Sequence, residues 1–152
     1  MSFLFDVDQI KELAFGIRAK DTLQLKAGLI SLYNRELFEK MIYFSQNQIL
    51  EGEMIGSINH MIEQEEEHSF LIKTILRNSD IKFEENPKLP RISTQISTAD
   101  ALKYDIEQES ISTQEYKKAI AKASGNLKKV LEHILQEEFE HIGILEKYLE
   151  EL

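Results

Sequence analysis

The sequence repeats itself after a shift of 73 residues, and this internal repeat constrains its fold more than any other feature. The shift places His60 on His133 and His68 on His141, so all four histidines of the chain fall into two pairs. The other matched residues are Leu29 and Leu102, Glu36 and Glu109, Tyr43 and Tyr116, Gly52 and Gly125, Glu65 and Glu138, and Glu67 and Glu140. Self-similarity at a fixed spacing predicts one structural unit used twice.

Hydrophobic periodicity predicts that each unit is a pair of long helices. The chain has only 6 glycines and 2 prolines among 152 residues, so little in it interrupts a helix. Apolar residues recur at i, i+3, i+4 and i+7, which predicts one short helix and then four long ones. The expected ranges are Asp8–Ala19, Asp21–Leu50, Glu53–Arg77, Thr98–Lys122 and a last helix from the turn at 123–126 to Glu150.

The segment 78–97 carries both prolines and little periodicity, which predicts a linker between two helical hairpins. An extended segment of this length reaches roughly 66 Å, whereas a bundle of such helices is only about 38 Å long. The linker can therefore cross the bundle from end to end. We expect one all-α domain, although other packings of four long helices stay open. Its parts are an N-terminal helix (1–20), a first hairpin (21–77), the crossover (78–97) and a second hairpin (98–152).

Four glutamates are expected to face one another inside the bundle. In an antiparallel helix pair, residues equidistant from the turn lie side by side. Glu36 and Glu65 are equidistant from a point beside Gly52, and the repeat gives Glu109 and Glu138 the same relation in the second hairpin. Each hairpin therefore brings two carboxylates to one level.

Each hairpin also carries a Glu-x-x-His motif, formed by Glu65 and His68 and again by Glu138 and His141. The motifs continue apolar stripes, and buried carboxylates are costly unless something compensates them. A pair of divalent cations would do so, and carboxylates with imidazoles suit iron or manganese. The alternative is a solvated face or a polar core without metal. The candidate metal ligands, which would also be catalytic through the metals, are Glu36, Glu65, His68, Glu109, Glu138 and His141.

This pattern resembles the ferritin-like di-iron carboxylate superfamily, in which two helices give one Glu each and two give Glu-x-x-His. A Tyr seven residues after a ligand Glu, as in Glu36 and Tyr43, resembles its rubrerythrin-like branch. The resemblance covers about Leu23 to Leu149. It implies a ferritin-like four-helix bundle that binds two iron ions, with manganese or a mixed pair as alternatives. Glu65 and Glu138 would bridge the ions.

The resemblance also implies a reaction, in which hydrogen peroxide or oxygen is reduced while Fe(II) is oxidised. The chain has no cysteine, so it lacks the rubredoxin-type ligands common in rubrerythrins, and an external electron donor is expected. A ferroxidase for iron storage, a metal-binding bundle without turnover, a partner scaffold and a monooxygenase are the alternatives. No haem is expected, because Glu66 stands where bacterioferritins have their haem-ligand methionine.

The neighbours of these candidate ligands leave several interpretations open. Members of the rubrerythrin-like branch often have another glutamate where this chain has Ser112, whereas here Glu39 lies three residues after Glu36. We expect Glu39 at the surface, with a displaced seventh carboxylate as the alternative. Two further pairs complete the candidates: Tyr43 and Tyr116, which would hydrogen-bond ligand carboxylates or pack in the core, and His60 and His133, expected to be half-exposed and structural.

Charge and composition bound the partners and the location. The net charge of −9 argues against nucleic acid as a partner. The chain begins without a basic stretch and has no run of about 18 apolar residues, so we expect a cytoplasmic protein without a membrane partner. The apolar residues Phe3, Leu4 and Phe5 predict a homodimer or a larger homo-oligomer.

Overall fold

The computed structural model describes residues 6–47, 49–85 and 96–152, and these residues form five α-helices and no strand. Phe3, Leu4 and Phe5 lie outside the described residues. The all-α architecture predicted from the sequence is confirmed, with a short first helix and four long ones. The elements are α1 (Val7–Phe15), a 3-10 turn (Ala19–Asp21), α2 (Lys26–Gln46), α3 (Glu53–Asn78), α4 (Thr98–Lys122) and α5 (Gly125–Glu150).

Local sequence signals explain most of the helix ends. Asp6 caps α1 by accepting a 2.8 Å hydrogen bond from the amide of Gln9, and Ser97 caps α4 in the same way. The first helix ends at Phe15 instead of the expected Ala19, because Gly16 caps it and the chain becomes extended at Arg18. The 3-10 turn then delays the second helix to Lys26 instead of Asp21.

The second helix ends at Gln46 and not at the expected Leu50, because the turn that leads to α3 already begins after Gln46. Gly52 in this turn has φ of 66°, and Gly125 in the second turn has φ of 58°. Only glycine adopts this left-handed region at little cost, so the repeat places its two turn glycines where the backbone requires them.

The long helices form an antiparallel bundle in which every neighbouring pair runs in opposite directions. Along α2, Arg35 contacts Ser112 of α4, while Gln46 contacts Asp105, so the two helices run oppositely. Because α3 and α4 both run antiparallel to α2, α4 starts at the end of the bundle opposite to the end of α3. Residues 86–95 of the predicted crossover, with both prolines, lie outside the described residues.

The described start of the crossover turns back over the first hairpin. Glu85 accepts hydrogen bonds from the Tyr33 hydroxyl of α2 at 2.8 Å and from the Lys73 ammonium of α3 at 2.9 Å. Phe83 packs edge-on against the Tyr33 ring, with ring centroids 5.2 Å apart. These contacts hold residues 83–85 against the first hairpin.

Two apolar clusters fill the ends of the bundle, and a polar belt separates them. The larger cluster includes Ile10 and Ala14 of α1, which covers α3 and α5, and Ile17 of the segment that follows α1. The smaller cluster lies at the end with the α2–α3 turn, around Tyr43 and Met61. None of the helices in the described part of the chain combines the length and apolar character that crossing a bilayer requires.

Candidate metal centre

Six fully buried side chains from all four long helices make up the belt between the apolar clusters. The helices α2 and α4 each contribute one glutamate, and α3 and α5 each contribute a glutamate and a histidine three residues apart. The structure thus brings together every candidate ligand of the sequence, namely Glu36, Glu65, His68, Glu109, Glu138 and His141.

The six side chains form two overlapping groups of four. In each group, one ligand atom from every residue lies within 4.8 Å of the others. Glu65 and Glu138 belong to both groups. The members of the His68 group are Glu36, Glu65, His68 and Glu138, and those of the His141 group are Glu65, Glu109, Glu138 and His141. These buried carboxylate and imidazole groups could hold metal ions.

Both imidazoles point their Nδ1 atoms into the cluster. The Nδ1 atom of His68 lies 2.9 Å from Glu138 Oε1 and 3.3 Å from Glu36 Oε2. The Nδ1 atom of His141 lies 3.0 Å from Glu65 Oε1 and 3.3 Å from Glu109 Oε1. The rings are nearly parallel, with centroids 6.2 Å apart. Each imidazole therefore contacts one carboxylate of its own hairpin and one of the other.

The opposite ring nitrogens are held by acceptors outside the cluster. His68 Nε2 donates to Glu137 Oε1 at 3.1 Å, and His141 Nε2 donates to Gln64 Oε1 at 2.6 Å. Gln64 Nε2 in turn donates to Glu137 Oε2 at 2.6 Å. Because these acceptors keep the Nε2 protons in place, Nδ1 is the ring nitrogen that faces the carboxylates and is free to bind a metal once it carries no proton. The imidazoles are thus oriented as metal ligands would be.

Two tyrosines contact the cluster across the hairpins. The Tyr43 hydroxyl of α2 donates to Glu109 Oε1 of α4, and the Tyr116 hydroxyl of α4 donates to Glu36 Oε1 of α2 at 2.5 Å. Both tyrosines are also fully buried in the core, so the hydrogen bond to a ligand carboxylate and the core packing expected from the sequence occur together. Each phenol fixes one carboxylate of the opposite hairpin.

The expectation that Glu39 lies at the surface is wrong, because its side chain is only 1% exposed. Its Oε1 atom accepts a hydrogen bond from the Ser112 hydroxyl and lies 3.4 Å from Arg35 Nη2. Arg35 also donates to the carbonyl of Gln108 and so bridges α2 and α4 over this carboxylate. Burial, with Glu109 and Glu36 nearby, raises the pKa of Glu39 well above its ordinary value.

Strong electrostatic coupling shifts the protonation of the cluster. Burial disfavours the charged forms of Glu36 and His68, but the attraction between the carboxylate and the imidazolium is larger than this cost. This pairing lowers the pKa of Glu36 to about 2 and raises the pKa of His68 to about 10. Burial and the surrounding carboxylates raise the pKa of both Glu65 and Glu138 well above the usual range. The side chains cannot all carry their charges without further positive charge.

Unpaired oxygen atoms show what the cluster lacks. Glu65 Oε2, together with one oxygen each of Glu109 and Glu138, is buried and accepts no hydrogen bond, and Glu65 Oε1 has only its 3.0 Å contact with His141 Nδ1. An unpaired buried carboxylate oxygen is costly. A cation among these oxygens would satisfy them and neutralise the carboxylates. The residues present therefore fit a bound metal.

The remaining histidines differ from each other. His60 is exposed on α3, whereas the His133 side chain is only 10% exposed and its Nε2 lies 3.0 Å from Glu137 Oε1. We expected both histidines to be half-exposed and structural, but His60 is more exposed than that and His133 is less exposed. Sequence reasoning also missed Glu137 and Gln64, although each directly precedes a candidate ligand glutamate and they match each other in the repeat.

The fold and the cluster define this chain as a ferritin-like four-helix bundle with a buried carboxylate–histidine site. A solved structure of similar fold is the dodecameric thioferritin described as the bacterioferritin-related protein from Bacteroides fragilis. The two structures agree with a TM-score of 0.73 at 19% sequence identity, over 95% of this chain and 93% of that chain. No family model matches the sequence, and no curated protein gives a significant match. At this identity the similarity shows the fold.

Proposed function

We propose that this chain binds two iron ions at the carboxylate–histidine cluster and acts as a ferroxidase, oxidising Fe(II) with hydrogen peroxide or oxygen. The observation that carries the proposal is the membership of Glu65 and Glu138 in both ligand groups. Two carboxylates shared by two groups are the arrangement that would hold two cations side by side. Glu36 and Glu109 would then each serve one ion.

The charge of the cluster supports two divalent ions. Four carboxylates carry four negative charges, and two divalent cations carry four positive charges, so the buried site would be neutral with neutral imidazoles. Metal binding would displace the protons that Glu65 and Glu138 hold, because a bound cation needs deprotonated ligands. Binding is therefore expected to release protons and to strengthen with rising pH.

The proposed reaction is balanced with peroxide as the oxidant. Each of two substrate Fe(II) ions gives up one electron, and one hydrogen peroxide takes two electrons and two protons to become two water molecules. The bound pair supplies both electrons at one place. The protein would contribute fixed ligands, because Tyr43 and Tyr116 hold Glu109 and Glu36 in place.

The structural neighbour supports the ferroxidase over other redox roles, since that protein is named a thioferritin and is dodecameric. By the same similarity we propose that this chain also forms a homo-oligomer. Light scattering coupled to size-exclusion chromatography tests this, and the mass of a monomer at every concentration would refute it.

A rubrerythrin-like peroxidase, re-reduced by an external donor, is the second candidate. The buried Glu39 favours it, because that branch often has an additional glutamate three residues after a ligand, and here one follows Glu36 by three. A peroxidase would keep its iron and would need the donor for every turnover. A ferroxidase would pass on its iron and accept more.

The decisive experiment is an anaerobic Fe(II) titration of protein purified without chelator, followed by substoichiometric hydrogen peroxide. We expect two Fe(II) bound per chain and rapid growth of near-ultraviolet Fe(III) absorption. Excess Fe(II) with oxidant then separates the candidates, since a ferroxidase continues without a donor whereas a peroxidase stops after one turnover. Failure to bind Fe(II), with unfolding unchanged by chelator, would refute both and favour a metal-independent bundle.

A further inference from the structure

The repeat is broken at the two residues that hold the histidines from outside the cluster. His68 donates its Nε2 proton to the carboxylate of Glu137, whereas His141 donates to the neutral amide of Gln64. These two outer residues occupy matching positions of the repeat, so an otherwise equivalent pair of imidazoles has one charged and one neutral partner.

The hydrogen bond between Gln64 and Glu137 determines which groups in this arrangement donate and which accept. Gln64 donates its amide nitrogen to Glu137 Oε2 at 2.6 Å, so its carbonyl oxygen must face His141. Glu137 can only accept, and it accepts from His68 and His133 with its other oxygen. Neither end of the chain of hydrogen bonds can be reversed while Glu137 stays charged.

The negative charge of Glu137 stands behind His68 without a permanent cation beside it. Within the described ranges, its ion-pair partners closer than 4.0 Å are the imidazoles of His68 and His133. The other additional carboxylate, Glu39, differs in this respect because the guanidinium of Arg35 lies 3.4 Å away. The carboxylate without an Arg or Lys partner therefore stands on the His68 side.

We propose that Glu137 makes the His68 group the tighter of the two metal positions, so that this group binds a divalent cation before the His141 group. A carboxylate that accepts the imidazole proton increases the electron density on the opposite nitrogen, and its charge attracts the cation. The amide of Gln64 orients His141 but adds no charge. Glu137 is thus a positioning residue, and this inference rests on the proposed two-metal function.

The test exchanges the two outer residues in the double variant Q64E/E137Q. The exchange keeps the composition, the net charge and a complete set of hydrogen bonds, but it moves the carboxylate from behind His68 to behind His141. The variants H141A and H68A, made in both backgrounds, each leave one group with its full ligand set. The measurement is the dissociation constant of the first Co(II), followed by visible absorption under anaerobic conditions.

In the natural background we expect H141A to bind Co(II) at least about tenfold more tightly than H68A, as outer partners of ligand histidines typically achieve. In the exchanged background the order reverses. E66Q is the control, because it removes one negative charge from an exposed side chain on α3 that pairs with Lys40 and should leave the order unchanged. Stepwise affinities of the unmodified chain are insufficient, because two adjacent cations repel each other in any site.

Equal Co(II) affinities of H68A and H141A, or an order that survives the exchange, would overturn the inference and leave the two-metal function standing. Absence of Co(II) binding by the unmodified chain would instead overturn the proposed function itself. If the exchanged protein fails to fold, the comparison of H68A with H141A in the natural background still decides between unequal and equal positions.

Discussion

The two hairpins, α2–α3 and α4–α5, place the same ligand types around the centre but surround them differently. Each contributes two glutamates, one histidine and one tyrosine from matching positions. Two buried or half-buried positions beside this set do not match, because Glu39 corresponds to Ser112 and Gln64 corresponds to Glu137. A symmetric set of ligands can therefore lie in an asymmetric electrostatic environment.

The difference extends along the bundle axis. At the end with the α2–α3 turn, the fully buried Gln46 donates to Asp105 at 2.7 Å. The matching positions at the other end are Leu32 and Ala119, which are packed in the larger apolar cluster. Burial, partly offset by the hydrogen bond from Gln46, raises the pKa of Asp105 to about 8. One end of the belt thus continues into polar side chains, and the other does not.

The largest expected effect distinguishes shared from unshared carboxylates. In E65Q or E138Q the affinity for both ions should fall by more than about 100-fold, because even outer partners are worth roughly 10- to 100-fold. In E36Q or E109Q one ion should remain bound. Metal content after anaerobic Fe(II) loading and desalting measures this. If all four variants lose the same amount of metal, Glu65 and Glu138 are not shared ligands.

Replacing Asp105 tests whether the polar end of the bundle makes the free energy of unfolding depend on pH. The folded protein holds the Asp105 proton more tightly than the unfolded chain, so this contribution is present at low pH and disappears between about pH 4 and pH 8. D105N keeps the hydrogen bond from Gln46 and avoids that loss. We expect it to be about 6 kcal/mol more stable than the unmodified chain at pH 9, because the rise of the pKa from 3.8 to about 8 converts at about 1.4 kcal/mol per pH unit, with almost no difference at pH 4.

Urea unfolding of metal-free protein at several pH values gives this comparison, with metal-free D105N and unmodified chain measured together. The matched change at the apolar end, L32A, should cost about 3 kcal/mol at every pH, because it opens a cavity in a fully buried position. A stability difference for D105N that does not vary with pH would contradict the proposed titration of Asp105.

The two tyrosine contacts should have equal effects despite their different surroundings. Y43F and Y116F each remove one hydrogen-bond donor from a buried carboxylate, Glu109 or Glu36. Each is expected to cost about 2 kcal/mol in the free energy of unfolding of the metal-free protein. The double variant shows whether the two losses add. A large loss of stability in only one of the two variants would show that the two tyrosine hydrogen bonds contribute unequally to the free energy of unfolding.

The smallest expected effect concerns the hairpin turns. G52A and G125A should each cost about 1 to 2 kcal/mol, because alanine resists the positive φ angles of these residues. G56A is the matched control within α3, where an added Cβ meets nothing within 4 Å and a helix former should stabilise by about 1 kcal/mol. Thermal unfolding distinguishes the two signs. Stabilisation by G52A would contradict the strained turn.

Much of the centre could be predicted from the sequence, because its chemistry follows local rules. The spacing of Glu65 and His68 puts both side chains on one face of a helix, and the repeat supplies the second pair. The antiparallel hairpin then sets Glu36 beside Glu65. These inferences require only helix periodicity and the position of a turn, both of which are encoded within one short stretch of chain.

The tertiary structure alone decided what surrounds the ligands. Glu39 looks like a surface residue in α2, and it is buried only because Ser112 and Arg35 meet it against α4. Likewise, Glu137 reaches His68 because α3 and α5 pack at one particular rotation and register. The sequence of a single helix does not specify these quantities, since they depend on how all the side chains of neighbouring helices fit together. Helix content and ligand types are therefore properties of the sequence, whereas packing decides which of the unmatched residues contact the ligands and make the site asymmetric.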